Sequence, residues 1–337
     1  MKSIIRNVTI AAAMTVAATH AVSADTLSVE GAAPASLTGL VPQTLATYAA
    51  EEGVDLQVVL GQTLTKSGLK VAAGQTDMAV VPPIALAAMK QGTGPYAAQG
   101  EQAAELHANL RSLFGFPGGA FHVIAWADSG IDSWDDLSGK RVYIGAPAGS
   151  ANLQIRGMIE QASGLKDGED YEGIRAPWAA AQQAFQDGQF DVFIPAVAVG
   201  QQSLNELSLQ REIRILGLPD DVVGSDGLNG FVSEAGLTVM DIPAGTYSGQ
   251  ANGDEDLKTI STTMTMAVNQ SMTDDNAYAL TKAYWDNLDD MKAQNMLLRP
   301  IDEEQPFLNL NVPLHPGAAR YYEEQGIEIP DSLRPAG

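Results

Sequence analysis

The sequence predicts an α/β protein built as two similar lobes, and three observations carry that expectation. The first is a phrase that occurs twice, Gly74-Gln75-Thr76-Asp77-Met78-Ala79-Val80-Val81-Pro82 and Gly188-Gln189-Phe190-Asp191-Val192-Phe193-Ile194-Pro195. Its continuous apolar run suits a strand covered on both faces, as in a parallel sheet flanked by helices. Its proline has no N–H to give a ladder and ends the strand. The second observation is that helically spaced residues precede each copy, so the opening glycine reads as a helix C-cap, where a positive φ is needed. The third is size and composition: 337 residues, 45% of them hydrophobic, suffice for two packed domains and exclude general disorder.

The remaining elements come in order along the chain. Leu27–Glu30 reads as a first strand, and 40–49 as a helix with Val41, Leu45 and Tyr48 on one face. A second strand covers 54–60, and a helix over 64–73 leads into the first repeated phrase. Residues 101–113, mixed in charge, read as a helix. The apolar run Phe121–Ala127 reads as a strand that crosses between lobes. Asp132–Leu137 carries the signs of a capped short helix, and 140–145 is a strand. Residues 150–163 read as a helix with Ile155, Ile159 and Ala162 on one face and Gly164 as its stop. A helix over 178–187 precedes the second phrase, and 213–218 is a strand. Glycine, proline and acidic residues dominate 222–256, which reads as irregular cover. Thr262–Val268 is the returning strand and 274–291 a long helix on the first lobe. The expected division is residues 25–127 with 260–337 in one lobe and 128–259 in the other.

The first 24 residues read as a secretory signal peptide, with Lys2 and Arg6 ahead of a short apolar stretch and Val22-Ser23-Ala24 supplying small residues for cleavage. No later stretch is long enough to be a transmembrane helix. An exported, periplasmic protein is therefore expected. The chain has no cysteine, so the expectation is a free rather than lipid-anchored protein without disulfides, thiol nucleophile or thiolate metal site. A formal charge of −22, from 19 basic against 41 acidic residues, argues against nucleic acid and anionic membranes as partners. It leaves room for a small anion in a local site.

The sharpest candidate site is Val142-Tyr143-Ile144-Gly145-Ala146-Pro147-Ala148-Gly149-Ser150-Ala151-Asn152. A strand runs into a glycine-containing turn, with Ser150 placed to cap the next helix. The first turn of a helix has unpaired N–H groups and partial positive charge, which suit a carboxylate. Gly149 would let a ligand approach the backbone. An ordinary strand-to-helix turn with a serine cap fits the same residues. The segment lacks the lysine of a P-loop and the spacing of a dinucleotide fingerprint.

Several stretches here resemble one family. Asp128-Ser129-Gly130-Ile131, Trp134-Asp135-Asp136-Leu137-Ser138-Gly139-Lys140-Arg141-Val142 and Gly145-Ala146-Pro147-x-Gly149-Ser150 are similar to the middle of the TAXI solute receptors. These are the periplasmic binding subunits of tripartite ATP-independent (TRAP) transporters. The likeness continues through Ile242-Pro243-Ala244-Gly245-Thr246-Tyr247-x-Gly249-Gln250 to Pro313-Leu314-His315-Pro316-Gly317-Ala318-Ala319-Arg320-Tyr321-Tyr322-Glu323-Glu324-Gln325-Gly326. The resemblance implies the type II periplasmic-binding fold, with a ligand cleft between two lobes. It further implies delivery of an organic acid to an ion-driven membrane permease. The acid would be a dicarboxylate, a 2-oxo acid or an acidic amino acid. The chain departs from the family at two loops. Gly31–Pro42 replaces a Gly/Thr-rich loop ending Tyr-Tyr-Pro, and Gly61-Gln62-Thr63 replaces Gly-Gly-Ser.

The ligand is expected between the lobes. From the first, the contacts are Ser36, Thr38, Gln62, Thr63 and the strand end Pro82-Pro83; from the second, Gly149, Ser150, Asn152, Trp178, Gln182 and the turn Pro195-Ala196. In open α/β sheets ligands sit at such carboxyl ends of strands. His122, on the crossing strand, is a further candidate, with a core histidine as the plainer reading, and Trp178 suits either core packing or closure over a ligand. His315, between Leu314 and Pro316, reads as structural, and the acidic groups around 220, 254 and 286–290 read as solvated. No metal or cofactor is expected. An enzyme is disfavoured, because four histidines, no cysteine and no Gly-x-Ser-x-Gly leave little to build a nucleophile from. A monomer is expected, and the alternative is a binding protein that serves an ABC importer or a sensor kinase.

Overall fold

The computed structural model describes residues 25–335 apart from Ala148, so the expected signal peptide lies outside the described residues. The first three strands are β1 (Asp25–Glu30), β2 (Val54–Val59) and β3 (Met78–Val81), separated by helices α1 (Leu37–Glu51) and α2 (Leu64–Ala72). After them come α3 (Pro83–Gln91), α4 (Glu101–His107), β4 (Leu110–Phe121) and β5 (Val123–Trp126). The middle of the chain supplies β6 (Arg141–Tyr143), α5 (Ala151–Ser163), β7 (Glu172–Ile174), α6 (Trp178–Gln186), β8 (Ala196–Val197), α7 (Gln202–Gln210) and β9 (Ile213–Leu216). It closes with α8 (Asp226–Ala235), β10 (Leu237–Ile242), β11 (Leu257–Asn269), α9 (Asp274–Asp286), α10 (Leu288–Gln294) and α11 (Pro316–Glu324).

The first sheet has the order β2-β1-β3-β11-β4-β8. β2, β1 and β3 run parallel, while β11 lies antiparallel to both β3 and β4. The second lobe repeats this plan. β7 and β6 are parallel, residue Val192 bridges Val142 in the same sense, Phe193 bridges Ile124 of β5 antiparallel, and β9 pairs antiparallel with β5. The α/β class expected from the sequence is thus what the chain forms, with helices packed on two sheets of like order.

The repeated phrase supplies the third strand in each lobe, and the structure explains its residues. Gly74 and Gly188 turn the chain at φ 68° and 70°, a region that costs glycine least. The aspartates then tie strand three to strand one. Asp77 Oδ2 accepts the backbone N–H of Ser28 on β1 at 2.7 Å, and Asp191 Oδ2 accepts that of Arg141 on β6 at 2.9 Å. Arg141 also gripping Asp191 holds that carboxyl below its usual range. In the second copy the apolar run makes bridges rather than a continuous strand.

Each sheet has its own core. Leu45, Met78, Phe114, Tyr284 and Tyr322 are buried together in the first lobe, with Phe114 stacked on Tyr284 at 3.7 Å. In the second, Val142, Ile155, Ile159 and Val192 form one cluster and Tyr143, Phe185, Phe190 and Phe193 another. The expected face of α1 (Val41, Leu45, Tyr48) and of α5 (Ile155, Ile159, Ala162) is in each case the buried one.

Four expectations are corrected. Residues 110–113 belong to β4 and not to a helix that stops at 113, because β11 offers them a ladder. The helix Pro83–Gln91 was not expected; Pro83 sits at its first position, where a missing N–H is harmless. The segment 222–256 is not irregular cover, for it holds α8 and β10, and β10 pairs with β11 over six residues. The expected long helix over 274–291 is two helices, broken at Asn287.

Candidate ligand-binding site

The parallel strands of each lobe end at one edge, and the candidate residues follow those ends. In the first lobe the loops after β1 and β2 are laced together: Gly61 N–H donates to Ala32 O at 2.9 Å and Gln62 N–H to Gly31 O at 3.0 Å. Ser36 Oγ donates to Ala33 O at 2.7 Å and shares a hydrogen bond with the buried Thr38 hydroxyl at 2.8 Å. Gln62 Nε2 turns back to Leu60 O, and the exposed Thr63 begins α2 without capping it through its side chain. Pro82 and Pro83 are buried, and Asn311 Nδ2 donates to Pro83 O at 2.8 Å.

In the second lobe two strand ends converge. Gly145 follows β6 at φ 100°, and a Cβ there would lie 3.2 Å from Ala151 and 3.4 Å from the Trp178 indole. Ala176, after β7, donates its N–H to Gly145 O at 3.3 Å, and Tyr143 Oη donates to Ala176 O at 2.9 Å. Trp178 therefore lies against the turn that opens α5, while Gln182 is half-buried one turn along α6. Asn152 fastens this turn, with Nδ2 donating to Ala146 O at 2.5 Å and Gly149 O at 3.1 Å. The expected serine cap is corrected: Ser150 is itself helical (φ −64°, ψ −23°), is buried, and makes no side-chain cap bond. Asn152 ties the loop in its place.

The crossing holds the third group. Phe121 of β4 pairs with Ala196 of β8, and His122 N–H donates to Pro195 O at 3.0 Å. The His122 ring is fully buried, and both nitrogens are engaged by protein atoms. Nδ1–H donates to Ala120 O at 3.0 Å, so Nε2 accepts from Tyr247 Oη at 2.8 Å, and that phenol oxygen takes Gly200 N–H at 3.1 Å. Burial pulls the His122 pKa down to about 4. Neighbouring hydroxyls stitch the two crossing strands: Thr259 Oγ1 donates to Phe121 O at 2.5 Å and Thr262 Oγ1 to Gly119 O at 3.1 Å.

Two sets of residues at these strand ends were not expected. Glu30, at the end of β1, is buried and accepts from Ser67 Oγ at 2.5 Å and Lys70 Nζ at 2.7 Å. Its signal in the sequence is a lone glutamate closing a strand. Tyr247, in the Thr246-Tyr247 motif, is joined to His122 across 125 residues and could not have been paired with it by pattern. Two hollows in the surface are lined by other residues, one of about 230 Å³ beside Gly115, Ser261 and Asp302 and another beside Asp167, Tyr171 and Arg175. Among the described residues no helix is long and apolar enough to cross a membrane.

In comparisons with solved structures, the chain is similar to the periplasmic aliphatic sulphonate binding protein SsuA from Escherichia coli, with 15% identity over 92% of this chain and 96% of that one and a TM-score of 0.45. It is also similar to a TRAP periplasmic solute binding protein from Sulfitobacter sp. NAS-14.1 with bound β-D-galacturonate, at 11% identity, 90% and 87% coverage and a TM-score of 0.47. A family model, by contrast, matches residues 71–326, which run from the end of α2 through α11. On that match the chain belongs to the NMT1-like family.

Proposed function

We propose that this protein is a periplasmic solute receptor of the TAXI type, a monomer that captures a small organic anion and delivers it to a TRAP-type membrane permease. The observation that carries the reading is the pairing of two sheets of like order whose carboxyl-end loops hold the candidate residues, in a chain whose motifs resemble that family. Residues 25–127 with 260–337 would move against 128–259 about the crossings at 121–123 and 257–262. The anion would meet the first turn of α5, where N–H groups and the helix dipole neutralise charge without a cation that must be desolvated. Neutral donors of this kind suit a cleft that must reopen to release its cargo.

The reading is tested by thermal shift on refolded, ligand-stripped protein with carboxylates, amino acids and sulfonates. A ligand at 100 times its Kd should stabilise the fold by about 2.7 kcal/mol and be recovered unchanged. Turnover of that ligand by the purified protein would refute a receptor.

Gly149→Leu is expected to weaken binding far more than folding. A Cβ at Gly149 meets nothing closer than Ala146 O at 3.4 Å, so the fold has room for it and the ligand's approach does not. Ser150→Ala should cost roughly 1.5–3 kcal/mol of affinity through one lost hydrogen bond to a charged group. If calorimetry finds both variants as tight as the parent, the anion is held elsewhere.

A further inference from the structure

The hollow of about 230 Å³ lies where three strands meet, bordered by Gly115 and Pro117 of β4, Thr238–Met240 of β10 and Ser261–Thr263 of β11. The segment 300–308 closes its remaining side. The backbone makes the room. β4 and β11 shift register between Ser261 and Thr263, where Gly118 and Gly119 stand opposite the single Thr262. A Cβ on Gly115 would stand 2.5 Å from Leu308 O, so the covering segment lies directly on a strand without a side chain. That segment is pinned on either side, with Gly115 N–H donating to Pro306 O at 3.1 Å and Asn309 Nδ2 to Leu237 O at 3.1 Å. Asn309 makes its reach from left-handed backbone, φ 51°, the single non-glycine case among the described residues.

The polar groups of the hollow are chiefly acceptors. Thr238 pairs with Ser261, and alternation along β11 sets Ser261, Thr263 and Thr265 on one face. Thr263 Oγ1 gives its proton to Gly236 O at 2.6 Å, which leaves its oxygen to accept. Thr265, next on that face and paired with Gly115, is fully buried, and its Oγ1 has no partner. A buried hydroxyl in that state is uncommon, and a bound molecule or water would relieve it.

Asp302 is the one charged residue of the lining, and no lysine, arginine or histidine shares it. Glu304 N–H donates to its Oδ1 at 2.9 Å and Gln305 Nε2 to its Oδ2 at 2.8 Å, and these bonds hold the carboxyl ionised below its usual range. Each oxygen keeps a lone pair for a further donor. Pro117, Met240 and Leu308 supply hydrocarbon. One fixed negative charge beside hydroxyl oxygens and an apolar wall suits an ammonium head on a short carbon chain, and it repels a carboxylate. A bare metal ion finds too few ligands, since among the described residues no three acidic or histidine side chains converge.

We propose that this hollow is a second binding site, for a small primary ammonium compound with its head on Asp302 and its chain against Pro117, Met240 and Leu308. It shares no residue with the candidate site at the strand ends, and its charge preference is opposite to that of the anion proposed there.

The test is amide NMR of the isotope-labelled protein, titrated with n-butylammonium chloride, butan-1-ol, sodium butyrate and, at matched ionic strength, potassium chloride. Butylammonium should move the resonances of Thr238–Met240, Ser261–Thr263 and Asp302 and saturate with a Kd of about 1 mM, which a molecule of its size can sustain. Butan-1-ol should bind about tenfold more weakly and butyrate more weakly still, because neither makes a charge-assisted bond to Asp302. Asp302→Asn should bring butylammonium down to the level of butan-1-ol. Thr238→Phe, at a half-buried strand position, should fill the hollow and abolish the binding of both. Shifts that potassium chloride reproduces, or that Asp302→Asn leaves unchanged, would reduce the effect to screening of an acidic surface and overturn the proposal. Butan-1-ol binding as tightly as butylammonium would overturn it too, as would the absence of a saturable shift at these residues. None of these outcomes bears on the receptor reading, which its own screen decides.

Discussion

Gly317→Val is expected to lower stability by about 3 kcal/mol or more, because the wild-type residue is where α11 meets α9 with no space for a side chain. A Cβ at Gly317 would stand 2.0 Å from Asp274 O and 2.9 Å from Tyr278 N. Both atoms are backbone of α9, so no flexible side chain can yield. The helices would have to part, and the bonds they anchor would be pulled with them: Tyr322 Oη donates to Leu113 O at 2.9 Å and Trp285 Nε1 donates to Tyr322 Oη at 2.8 Å. His315 prepares this contact by capping α11, its Nδ1 accepting Gly317 N–H at 3.2 Å, so Pro313–Gly317 is a packing device and not a reacting one. Urea melts check the claim, and Gly317→Ala should share most of the loss, since the collision is with Cβ itself. An alanine variant within about 0.5 kcal/mol of the parent would show that the helices adjust and the glycine is not required.

Stability should also fall by roughly 3 kcal/mol as the pH drops from about 6.5 to about 4, through His122. The sign is set by burial. In the unfolded chain the imidazole takes its proton near pH 6.5, whereas the folded ring, fully buried and already accepting from Tyr247, resists protonation until about 4. Between those values the unfolded state binds the extra proton, so acid favours unfolding. His315, also lowered by burial against the opposing pull of Asp274, adds in the same direction. Asp191 and Asp302, held low by their partners, lose their contribution only further into acid. Melts at a series of pH values in His122→Gln should lack the steep part of this limb. An unchanged slope would assign the acid sensitivity to other groups.

Much of this protein was legible in its sequence because the informative signals act over a few residues. A buried helix face repeats every three or four positions, and Val41, Leu45 and Tyr48 could be read that way. The Gly-Gln-x-Asp phrase located the strand β3 in its first copy and the bridges at Val192 and Phe193 in its second, since a left-handed glycine, an aspartate that ties neighbouring strands and a closing proline are all local requirements. The apolar run Phe121–Ala127, read as strand, covers the last residue of β4 and all of β5.

Other features were decided by partners far along the chain. Leu110–Leu113 is as compatible with a helix as with a strand until β11 pairs with it, and β10 is a strand because β11 offers six residues of ladder. The serine expected to cap α5 was displaced by Asn152, whose amide reaches back to Ala146. Glu30 with Ser67 and Lys70, and His122 with Tyr247, are pairs that only the folded backbone brings within hydrogen-bond distance. The sequence alone thus determined the class of fold, the repeated plan and the strand ends that carry the candidate residues, because periodicity and turn chemistry are written locally. The tertiary structure alone decided which polar groups at those ends are spent on the protein itself, because a buried donor or acceptor is satisfied by whatever the fold places beside it, at any separation in the chain.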